Sequence, residues 1–121
     1  MAAPNLVNVS TITAKSKQAA LDTTLTTEIL ANAASSNKVF KVNNILVANI
    51  DGSSSVDASV FITKSGGSPL AIASTIAVPA DSTLTVIDKN TAIYLEEGDN
   101  IEAGASANSD AVITINYEEL S

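Results

Sequence analysis

Apolar residues recur along this chain mainly at every second position, the spacing of strands that bury one face of a sheet. From Leu70 to Val78, the residues Leu70, Ile72, Ser74, Ile76 and Val78 fall on one face, and Ala71, Ala73, Thr75 and Ala77 fall on the other. The larger set is expected in the core and the small set outside. On that reading Ile76→Asp prevents folding, while Ala73→Asp leaves the fold intact. Val56, Ala58, Val60 and Ile62 alternate with Asp57, Ser59 and Thr63, with Phe61 on the polar side. Near the end, Ala111, Ile113, Ile115 and Tyr117 alternate with Val112, Thr114 and Asn116.

The segment Val39 to Ile50 is apolar on both faces at its centre, as expected of a strand inside a sheet. Asp51-Gly52 then predicts a hairpin into Val56–Thr63. Gly66-Gly67-Ser68-Pro69 and Val78-Pro79-Ala80-Asp81-Ser82 mark the next reversals. Leu84–Ile87, Ala92–Leu95 and Ile101–Ala105 read as short strands, and Leu6–Thr13 as the first strand. Between Ser16 and Ala34 two periods compete. Leu21, Leu25 and Ile29 fit a helix face, but Thr23, Thr24, Thr26 and Thr27 are β-branched, and the stretch is read as strand.

Turn signals about ten residues apart, with short strands between them, predict an all-β fold. The expectation is a single-domain antiparallel β-sandwich, jelly-roll or immunoglobulin-like, of eight to nine short strands. The domain spans residues 1–121, with residues 1–5 read as a flexible arm.

Composition narrows the chemistry. The 121 residues include six lysines and thirteen carboxylates, for a net charge of −7, and no Arg, His, Cys or Trp. Without His or Cys there is no imidazole base, no thiolate and no nitrogen or sulfur ligand for zinc or iron. Without Arg, an acidic chain lacks the forked cations and positive field that draw nucleic acid. With 45% hydrophobic but only 3% aromatic residues, the core must be built from Ile, Val, Leu and Ala. No stretch approaches the ~18 apolar residues of a membrane span. The opening Met-Ala-Ala-Pro-Asn lacks the basic and apolar regions of a secretory signal.

Glu96, Glu97, Asp99 and Glu102 crowd around Gly98, and oxygen ligands of this kind suit calcium. The EF-hand spacing is absent, and a solvated turn is the stronger reading. Asp81, Asp88, Asp99, Glu102, Glu118 and Glu119 offer carboxylate pairs of the glycosidase type, but with few aromatic platforms for a sugar. Lys15-Ser16 and Lys64-Ser65 are adjacent residues, which point to opposite faces of a strand. No catalytic, cofactor-binding or metal-binding residue is assigned, and no cofactor. The face formed by Ala71, Ala73, Thr75 and Ala77 lets a flat surface approach closely and is the candidate assembly face. Tyr94 and Phe61 are the candidate partner anchors.

Lys38–Ile50 followed by Asp51-Gly52, the run VPADSTLTVIDKNTAIYLEEGDNIEAGAS from Val78 to Ser106, and the closing ITINYEELS resemble small β-rich proteins of tailed bacteriophages of marine bacteria, particularly cyanobacterial ones. The resemblance implies a non-enzymatic virion accessory component. Its preferred place is the capsid exterior, as a decoration or cement protein bridging and stabilising major capsid subunits. The implied partners are the major capsid protein and copies of the chain itself, with no nucleic acid and no membrane. The pattern from Leu95 to Ile101, L-x-x-G-D-x-I, also resembles a turn of trimeric jelly-roll proteins, which favours a trimer. A tail, neck or fibre-associated module that binds host surface glycans is the alternative.

Overall fold

A computed structural model of the chain describes residues 9–121. The strands are β1 (Ile12–Ala20), β2 (Thr27–Ala31), β3 (Val39–Asn49), β4 (Val56–Thr63), β5 (Leu70–Val78), β6 (Thr83–Ile87), β7 (Ile93–Leu95), β8 (Asn100–Ala105) and β9 (Ala111–Leu120). The arm expected at residues 1–5, and the first part of the strand expected from Leu6, lie outside the described residues.

One sheet has the order β1-β9-β3-β6, with β7 also paired to β3, and the other has the order β2-β8-β4-β5. All pairings are antiparallel. Because β9 occupies one edge of β3, β6 and β7 lie in line along the other, against Ile45–Ala48 and Phe40–Val42. They act as one strand interrupted by a 3-10 turn at Lys89–Thr91, where the Asp88 carboxylate accepts from the Asn90 amide at 2.9 Å. Counted that way, the pairs β4·β5, β3·β6/β7, β2·β8 and β1·β9 nest inside one another. The chain is a long hairpin wound into two sheets, which is the jelly-roll form of the sandwich.

Alternation buries the faces that the sequence predicts for β4 and β9, and β3 and β8 complete the core. Val42, Ile45 and Val47 meet Tyr117, Ile115 and Ile113 across one sheet, while Val60 and Ile101 face them from the other. β3 is an interior strand, flanked on both edges. Phe40 and Tyr117 pack at a tilt with ring centroids 5.2 Å apart.

Three local expectations are corrected. The stretch from Ser16 to Ala34 is neither one strand nor a helix: β1 ends at Ala20, and β2, in the opposite sheet, begins at Thr27. Leu21 is buried, whereas Leu25, on the loop between them, is exposed. Asp51-Gly52 does not make a hairpin, because β3 and β4 belong to different sheets. The buried Asn49 side chain turns the chain across the sandwich. Its amide donates to the Ser54 and Val78 carbonyls at 2.9 and 2.8 Å, and its oxygen accepts from the Asp51 amide. Third, β5 does not keep its period of two. Val78, Ile76, Ala73 and Leu70 stand opposite Val56, Ala58, Val60 and Ile62, so β5 carries two extra residues. One bulge is fastened where the buried Ser59 hydroxyl accepts from the Thr75 amide at 2.9 Å, with Thr75 at φ 52°. The second brings Ala73 onto the core, which the alternation had placed outside.

Candidate functional site

A sheet edge displays unpaired amides and carbonyls, and folded proteins shield such edges with short strands, charges, bulges or inward-pointing lysines. The four edge positions here are treated differently. β1 carries Lys15 and Lys17 opposite Tyr117 and Ile115, so both lysines sit on the core-facing side of the edge. β2 has only five residues, includes Glu28, and is bulged after it. The β6/β7 edge is broken by the turn holding Asp88 and Lys89. β5 is nine residues long, contains no charge and no proline, and keeps only its two bulges.

That edge is also apolar and open to solvent. Leu70 is 71% exposed, Ile76 40% and Ile72 39%, although the alternation assigned all three to the core. Leu70 and Ile76 pair with Ile62 and Ala58 but lie beyond the cover of the facing sheet. The signal was present in the sequence: positions 65–80 form its longest run without a charged residue.

Of the candidate assembly face, Ala71, Thr75 and Ala77 are exposed, and Ala73 packs against the core. Phe61 stands directly opposite Ala71 on the outer side of this sheet and is half-buried, so one anchor joins that face. Beside Thr75, a depression of about 280 Å³ is lined by Leu25, Asp57, Ser59 and Ala105. Tyr94 lies on β7 in the other sheet, opposite Lys41 and 45% exposed, apart from Phe61.

The polar clusters weighed for chemistry are engaged in holding turns. Asp99 is almost wholly buried; its carboxylate accepts from the Lys64 ammonium and from the Ser65 and Glu96 amides, the latter two at 2.9 and 2.8 Å. The hydrogen bond to Asp99 raises the Lys64 pKa above its ordinary value. Glu97 turns away to the Asn37 amide at 2.8 Å, and Glu102 to the Thr63 hydroxyl at 2.8 Å. Glu96, at 3.7 Å, shares the Lys64 ammonium with Asp99 while Glu97 and Glu102 turn away, and among the described residues no group of three acidic side chains converges as a metal site would require.

Glu119 bridges Lys15 at 3.1 Å and Lys38 at 3.0 Å. Burial pushes its carboxyl up, but the two ammonium groups outweigh that and hold it below its ordinary value. Burial raises the neighbouring Tyr117 hydroxyl. Ser16, Asn116 and Asn44 form a ladder across β1, β9 and β3 with contacts of 2.5 and 2.6 Å. It borders a second depression of about 300 Å³, which Lys15, Asn43 and Glu118 also line.

Comparison with protein-family models, with curated proteins and with solved structures finds no match.

Proposed function

We propose that this chain is a non-enzymatic structural protein of a tailed-phage virion, a decoration protein that sits on the capsid exterior and bridges major capsid subunits. The observation that carries the reading is the β5 edge, an uncharged, exposed strand on a domain whose other edges are shielded. Such a surface is suited to protein contact. Of the carboxylates and lysines considered for catalysis, Asp99 and Lys64 hold a turn together, and Glu119 and Lys15 bridge neighbouring strands.

Other features support the same reading. The jelly roll is an architecture of viral capsid domains as well as lectins, a likeness at the level of fold alone. A net charge of −7 suits an outer surface kept away from packaged DNA. Many copies making modest contacts reinforce a shell by multivalency without strong individual anchors.

The test is binding to particles. Capsids prepared without this protein are mixed with the purified chain, sedimented, and heated. Co-sedimentation in a fixed ratio to the major capsid protein, together with a higher disruption temperature, is expected; failure to bind capsids overturns the placement. A second reading, a tail or fibre module for host glycans, is favoured by the exposed Tyr94 ring. It predicts a glycan-array signal that Tyr94→Ala removes.

A further inference from the structure

We propose that the β5 edge is self-complementary and docks a second copy of this chain across a two-fold axis at Ser74. The inference rests on β5 being a contact surface, as argued above, and names its occupant.

Three observations carry it. The first is charge. Two copies of a chain at −7 repel each other over most of their surfaces, but positions 65–80 carry no charge, so β5 itself brings no like charges together and the nearest, Asp57 beside Ala77, lies one strand back on β4.

The second is the order of residues. A two-fold axis makes a contact isologous, so that if residue i meets residue j of the partner, then j meets i. Antiparallel alignment about Ser74 sets Ile72 opposite the partner's Ile76, Ala71 opposite the partner's Ala77 and Ala73 opposite the partner's Thr75, while Leu70 falls beside the partner's Val78, whose side chain is buried in its own core. The exposed Ile72 and Ile76 meet each other twice across the axis, and the small residues meet small ones. The strand reads nearly the same in both directions, the property an isologous edge requires.

The third is exposure. The apolar residues of β5 that remain most open, Leu70, Ile72 and Ile76, lie in both arms, flanking Ser74. The bulges near the centre interrupt a continuous backbone ladder, so the contact is carried mainly by these side chains.

The chain has no cysteine, which makes the geometry directly testable. A residue on the axis meets its own copy, and a disulfide forms only when the two Cα atoms come within about 7 Å. In the full-length chain, Ser74→Cys is oxidised in parallel with Ser53→Cys, an exposed control in the β3–β4 loop. Sedimentation velocity of the unmodified chain follows its mass with concentration. The expected results are a reversible mass of two chains and a covalent dimer forming at least tenfold faster from Ser74→Cys than from the control.

Charge reversal gives an independent check. Ile72→Asp or Ile76→Lys alone weakens the dimer at least tenfold, while the two together restore it, because each new charge faces its opposite across the axis. Circular dichroism confirms that each variant is folded, and the cysteine pair decides the matter where one is not. A monomer at all concentrations, equal cross-linking of the two cysteine variants, or a mass of three chains overturns the two-fold contact. A monomeric chain that still binds capsids overturns this inference and leaves the decoration reading standing; a dimer that binds no capsid does the reverse.

Discussion

Gly104→Ala adds a single methyl group, and the structure gives it no room. A Cβ at this position would lie 2.4 Å from the Leu25 Cα, 2.5 Å from the Thr24 carbonyl oxygen and 2.9 Å from the Leu25 amide nitrogen. Carbon atoms in good contact sit about 3.5–4.0 Å apart, so the loop joining β1 to β2 must retreat by about 1 Å. All three obstacles are backbone, and the loop is fastened. The Asp22 carbonyl accepts from the Ala105 amide at 2.8 Å, and the Leu21 carbonyl from the Ser109 amide at 2.9 Å. Overpacking of this kind costs about 1–3 kcal/mol, and weakening one of those hydrogen bonds adds about 1 kcal/mol. The reduced freedom of the unfolded chain returns about 0.4–1 kcal/mol, leaving a net loss of about 1–3.5 kcal/mol. For a domain of this size that lowers Tm by roughly 4–14 °C. Gly52→Ala is the control, because its nearest neighbours are Asp81 carboxylate oxygens at 3.6 and 4.0 Å, an ordinary contact. It is expected to be neutral or slightly stabilising. Urea unfolding followed by circular dichroism measures both variants. A Gly104→Ala protein within 0.5 kcal/mol of the parent, roughly the scatter of inert surface changes, would refute the loop's close seat on the sheet.

Ala73→Asp is expected to cost about 2–3 kcal/mol by pressing a carboxylate onto the core, while Ile76→Asp folds with a loss of about 1–2 kcal/mol; urea midpoints in the opposite order would show that the β5 bulges are misplaced. Asp99→Ala leaves the Ser65 and Glu96 amides without their acceptor and is expected to cost about 2–4 kcal/mol, read in the same assay. The Glu119 pKa lies below its ordinary value, so its ion pairs contribute stability that is fully present above the unfolded glutamate pKa and is lost as pH falls through the lower folded value. Glu119→Gln should therefore flatten the acid limb of a plot of stability against pH, and an unchanged limb would count against the Lys15–Glu119–Lys38 bridge.

Much of the fold is legible in the residues. β9 buries one face of a clean alternation, β4 buries Val56, Ala58 and Val60 where the alternation places them, and β3 advertises its interior position by being apolar on both sides. Edges are harder to read. β1 shows little apolar pattern because lysines occupy its core-facing positions, so the sequence draws attention to Leu6–Thr13 instead. The crossing at Asp51 depends on a buried Asn49, a residue whose partners, the Ser54 and Val78 carbonyls, become neighbours only when the two sheets stack. One of the β5 bulges is fastened by a serine in β4, and without the bulges Ala73 falls on the outer face, as simple alternation has it. For the same reason the candidate contact surface was half legible: Phe61, Ala71, Thr75 and Ala77 share a sheet, but its most exposed apolar residues had been assigned to the interior.

A cryo-EM reconstruction of purified virions tests the proposed role of this chain as a structural module covering a surface of the particle. Jelly-roll density of this chain is expected on the capsid exterior, resting across boundaries between major capsid subunits. Density confined to the tail or neck would contradict that placement, and a particle lacking the chain altogether would contradict the role itself.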